Sequence, residues 1–89
     1  MGRLIRMGMS YVLIAKESID FETKKYNITS VGQDEIETLH DIAISFLKVA
    51  RQQKVDVQLY LETYLHGEFV EYSKYEEYTD EFVTITTTY

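Results

Sequence analysis

Between residues 34 and 65 the spacing of apolar side chains changes once, from a helical period to a strand period, and this switch restricts the fold more than any other feature. Over residues 34–53, Ile36, Leu39, Ile42, Ala43, Phe46, Leu47, Val49 and Ala50 recur three and four apart, which lines one face of an α-helix. Over residues 55–65, Val55, Val57, Leu59, Leu61, Thr63 and Leu65 alternate with Asp56, Gln58, Tyr60, Glu62 and Tyr64. That is the pattern of a strand with one side in a core and the other in water. A helix with one apolar stripe, followed at once by a half-buried strand, has to pack on a sheet.

The flanking residues extend this outline. Asp34, Glu35 and Glu37 suit the positive end of the helix dipole, and Lys48, Arg51 and Lys54 suit the negative end. Ser30 and Gln33 have the spacing of a capping box. Residues 11–17 read as a first strand and residues 26–31 as a second, with residues 18–25 as a loop or wide hairpin between them. His66-Gly67 predicts a tight turn into a strand over residues 68–75, and residues 76–80 turn the chain into a last strand over residues 82–88. The expected fold is α+β: an antiparallel sheet of about five strands in the order ββαβββ, with one amphipathic helix packed on one face. It forms a single domain over residues 1–89, with residues 1–9 as a disordered N-terminal extension.

Composition narrows the functions available. With 45% hydrophobic and 27% charged residues the chain is expected to fold, and the absence of cysteine removes disulfides and thiolate metal sites. The longest apolar run, near residues 11–15, is far shorter than the ~20 residues of a membrane-spanning helix. Arg3 and Arg6 precede apolar residues, but no small-residue cleavage site follows, so no signal peptide and a cytoplasmic location are expected. His40 and His66 have no partner at a metal or triad spacing, and both read as solvated side chains. Glu37, His40 and Asp41 are an ordinary polar helix surface rather than a metal site. Glu76 and Glu77 have no environment that separates their pKa values, and Gly67 stands outside any phosphate-binding loop. No catalytic residue, cofactor or metal is expected.

Charge carries the functional signal. Residues 1–54 hold eight basic and seven acidic side chains, whereas residues 55–89 hold eight acids and the single Lys74. Six of the eight tyrosines fall in that second segment. The candidate binding surface is therefore Asp56, Tyr60, Glu62, Tyr64, Glu68, Glu71, Tyr72, Tyr75, Glu76, Glu77, Tyr78, Asp80 and Glu81. On the strand from Val55, Asp56, Tyr60, Glu62 and Tyr64 point away from the leucines. On the following strand, the pattern leaves open whether Phe69, Glu71 and Ser73 or Val70, Tyr72 and Lys74 share that side. Exposed tyrosine offers a large contact area with few rotatable bonds, as at protein interfaces. A solvated acidic sheet face without a partner gives the same pattern. Direct binding of nucleic acid is disfavoured, because phosphate contacts need lysine and arginine.

In size, charge and composition the chain resembles the small acidic DNA-mimic inhibitors made by bacteriophages. That group includes uracil-DNA glycosylase inhibitors, anti-restriction proteins and inhibitors of the nucleoid protein HU. The likeness covers no motif and transfers no functional residues. It implies an inhibitor in the host cytoplasm that occupies the nucleic-acid site of a basic partner: a host nucleoid protein, nuclease or repair enzyme. The near-neutral first half confines such mimicry to one side of the molecule. The second expectation is an interaction or assembly module, a homodimer among its forms, in which a strand edge or the tyrosine face pairs irrespective of charge. A core of this size is small enough to gain from dimerisation.

Overall fold

The computed structural model describes residues 8–87. Strands β1 (Met9–Ile19) and β2 (Glu22–Gly32) form a long hairpin, and a 3₁₀ turn (Gln33–Glu35) leads into the helix α1 (Ile36–Gln52). Strands β3 (Asp56–Leu65), β4 (Glu68–Glu76) and β5 (Glu81–Thr87) follow as a meander. All five lie in one sheet in the order β2-β1-β3-β4-β5, and every neighbouring pair is antiparallel. The expected α+β class and ββαβββ order are both present.

The core lies between α1 and one face of the sheet. Leu39, Ala43, Leu47 and Ala50 of α1 are buried against Leu13 and Ala15 of β1, Val57, Leu59 and Leu61 of β3, and Tyr75 of β4. Small alanines at two of the four helix positions let the helix approach the sheet closely. The remaining apolar helix residues fall beside this stripe: Ile42 and Phe46 are half-buried and Val49 is 50% exposed. The apolar arc of the helix is thus wider than the sheet surface that it covers.

Several local expectations change. Residues 18–25 are not a loop, because both strands run on to a two-residue turn at Asp20 and Phe21, with φ of 50° and 69°. Two successive positive φ values match the twist of a hairpin, but here neither residue is glycine, so the usual signal is missing. The capping box does not form: Ser30 belongs to β2, Gln33 to the 3₁₀ turn, and no side chain caps α1. The other end of the helix closes without glycine, with Lys54 at φ 58° and the Val55 amide donating to the Ala50 carbonyl at 2.9 Å. His66 and Gly67 make the expected tight turn, at φ 51° and 81°. Met9, assigned to an N-terminal extension, opens β1, and residues 1–7 lie outside the described residues. Among the described residues, no helix is long and apolar enough to cross a membrane.

If this core holds the fold, Leu59→Ala should lower the unfolding free energy in urea by about 2–5 kcal/mol, while Val49→Ala should change it by less than about 1 kcal/mol. Equal losses would place Val49 in a core that the structure does not give it.

Candidate functional site: the open face of the sheet

Among the described residues, no helix covers the other side of the sheet. Register places Val12, Ile14 and Lys16 of β1 there, beside Glu62, Tyr60 and Gln58 of β3, with Tyr72 and Lys74 of β4 beyond them. Ile14 is nevertheless only 1% exposed. Its neighbours explain this. Tyr60 lies directly opposite Ile14, and its ring stacks on that of Tyr72 at 5.2 Å and 3° between planes. The Lys16 ammonium sits 4.5 Å from the Tyr60 ring centroid and 5.6 Å from that of Tyr72. Two tyrosines and a lysine stem therefore roof the open face where α1 roofs the other.

The rings are held by their own hydroxyls. Tyr60 donates to Gln58 Oε1 and Tyr64 to Glu62 Oε1, each at 2.9 Å and each two residues back along β3. Tyr64 also meets Phe69 edge-on, at 5.8 Å and 78°. The hydrogen bond to Tyr72 raises the Lys16 pKa, and the bond to Glu62 raises that of Tyr64, so the ammonium stays charged and the phenol neutral. Side chains fixed in this way lose little freedom when a partner covers them.

Register also settles which expected residues belong together. Asp56, Tyr60, Glu62, Tyr64, Tyr72, Glu76 and Glu81 share the open face. Glu71 and Tyr75 lie on the helix side, and Glu68 follows Leu65 onto that side as well. Tyr75 is 5% exposed and belongs to the core, which corrects its assignment to a contact surface. The acids do not form one continuous anionic face, because Lys16, Lys25 and Lys74 stand among those on the open side. Tyr78 is fully exposed in the turn before β5.

That turn is clasped to the helix, a contact invisible in the sequence. Arg51 makes a forked ion pair with Glu77, and its Nη1 and Nη2 also donate to the carbonyls of Val55 at 3.2 Å and Val57 at 3.1 Å. Tyr75 donates to Asp80 Oδ1 at 2.9 Å, while the His40 Nε2–H donates to the Asp80 carbonyl. The His40 ring lies edge-on to Tyr75 and Phe82, so it is a packing residue rather than a solvated one. Glu77 and Asp80 thus serve the fold.

A second concavity, about 630 Å³, lies between α1 and the β1–β2 hairpin. Tyr26, Ile42, Phe46, Val49 and Val57 line it, with Glu17 and Asp41 among its polar residues. Among the described residues, no group of acids and histidines is arranged to hold a metal ion.

Burial, and then the bond to Asp80, push the Tyr75 phenol from its ordinary 10.0 up to about 12. The folded state favours the neutral phenol, so this contribution is complete below pH 10 and is lost as pH rises through about 12. Tyr26, raised chiefly by burial, and Tyr64 act with the same sign. Unfolding free energy should therefore fall between about pH 10 and 12, and Tyr75→Phe should flatten the fall while costing about 1 kcal/mol at neutral pH. An unchanged slope in that variant would contradict the role given to Tyr75.

Comparison of the chain with protein-family models, with curated proteins and with solved structures finds no match, so the fold and the open face are read from their own geometry.

Proposed function

We propose that this protein is an interaction module that binds a protein surface through the open face of its sheet. The observation that carries this reading is the roof of Tyr60 and Tyr72 over Ile14, with Lys16 against both rings. It is apolar enough to gain from further burial and carries hydroxyl and ammonium groups that select a partner. Rigid, half-exposed tyrosines of this kind are enriched at protein interfaces. Tyr64 and Phe69 extend the same surface toward the β3–β4 turn.

Imitation of a nucleic acid is the weaker reading. It needs an uninterrupted anionic surface, and the acids of β3 to β5 are divided between two faces, with Glu77 neutralised by Arg51. The three lysines on the open face would repel a cationic nucleic-acid site.

The immobilised chain should capture its partner at about 0.5 M salt, where surface charges are screened within a few ångström. Added DNA should not release it, and Tyr72→Ser should weaken capture by about tenfold or more while leaving the fold intact. Release by DNA and moderate salt, with Tyr72→Ser indistinguishable from the parent, would overturn this reading in favour of mimicry.

A further inference from the structure

At the level of Lys16 the open face carries a row of charge that is antisymmetric about the middle strand. In the sheet order β2-β1-β3-β4-β5 the row reads Lys25, Lys16, Gln58, Glu76 and Glu81. Lys25 pairs with Lys16 and Lys16 with Gln58; Glu76 pairs with Glu81, two residues beyond the Tyr60–Lys74 pair. Two cations thus stand side by side on one flank and two anions on the other.

Like charges directly opposite one another in a sheet are destabilising, and a single chain leaves both pairs in place. Lys74, two residues from Glu76 on the same face of β4, relieves the anionic pair in part, but no acid of the row stands on a strand beside Lys16 or Lys25. At about 4.8 Å per strand, the backbones at Lys16 and Glu76 lie about 10 Å apart and those at Lys25 and Glu81 about 19 Å apart, and the Lys16 ammonium is laid over the Tyr60 and Tyr72 rings. Among the described residues, the one ion pair is Arg51 with Glu77, on the other side of the sheet.

We infer that the open face is closed by a second copy of this chain, packed face to face about a twofold axis running along β3. This rests on the reading of the open face as a protein-binding surface and names its occupant. Because β3 is the middle strand of five, such an axis exchanges β2 with β5 and β1 with β4. It sets Lys25 of each copy against Glu81 of the other, and Lys16 against Glu76, so all four like-charge pairs acquire opposite partners. One level away, Ile14 and Lys74 flank Tyr60, so each Lys74 stem crosses the second copy's Ile14; two levels away, Val12 and Tyr72 flank Glu62, so each Val12 meets the second copy's Tyr72 ring. Two twisted sheets stacked in this way form an aligned sandwich. The exception is Glu62, which lies on the axis and faces its own counterpart.

The chain should sediment as a reversible dimer that weakens several-fold with added salt yet persists at about 0.5 M, because burial of the tyrosine face is not screened. Lys25→Glu and Glu81→Lys sit on exposed side chains of the two edge strands and leave the core untouched. Each alone should weaken the dimer by about tenfold, since two symmetric contacts become repulsive. An equimolar mixture of the two variants should recover parental affinity as a heterodimer, and Glu62→Gln should tighten the parental dimer several-fold. A parent that stays monomeric at about 1 mM, or a mixture no tighter than either variant alone, overturns the pairing. If the chain is monomeric while Tyr72→Ser still abolishes capture of another protein, the self-pairing fails and the interaction reading stands. If Tyr72→Ser changes neither association nor capture, both fail.

Discussion

The structure depends on an imbalance: among the described residues, five strands present two faces, and a single 17-residue helix covers one of them. Burial of Leu13, Ala15, Leu59 and Leu61 under Leu39, Ala43, Leu47 and Ala50 supplies the only core sealed by a second layer among the described residues. A sheet sealed on one side must make its other side tolerable in water or give it to a partner. Here the second face is neither fully polar nor bare. Ile14 needs shelter, and stacked tyrosines with a lysine laid against them provide it, leaving a surface that is half apolar and rich in fixed hydroxyls.

The parts of the fold written in strong periodicity were legible before any coordinates. The helix, β3 and its two faces followed from eleven alternating residues and an apolar stripe, because burial of one face leaves the pattern no freedom of register. The hairpin turn at Asp20 and Phe21 was hidden, since its positive φ values fall on residues that rarely adopt them. The faces of β4 were hidden for another reason. The register shift between Thr63 and Tyr64 inserts Val70 as an extra residue in β4 and breaks its alternation, and the shift between Tyr72 and Ser73 does the same to β5 at Ile85, so counting by twos along the chain goes wrong.

The candidate site was half legible for the same reason. Tyr60, Glu62 and Tyr64 lie on β3, where the pattern is unbroken, and they lie where the alternation put them. Tyr75 was grouped with them by composition, yet it faces the helix and its hydroxyl is consumed by Asp80. The acidic excess of the second half was real in sequence and misleading in space. Charge counted along a chain says nothing of which side of a sheet carries it, and basic residues from the first half return as neighbours: Lys16 against the tyrosine rings, Arg51 against Glu77.

The central claim is that the tyrosine-roofed face, not the helix side, is where this protein meets other protein. Relaxation of side-chain protons by a soluble paramagnetic agent, compared between the dilute chain and its complex, tests it most directly. Val12, Tyr60 and Tyr72 should become shielded in the complex while Val49 and Phe46, in the concavity beside α1, keep their accessibility. Shielding confined to the helix side, with the stacked tyrosines as open as before, would contradict the account.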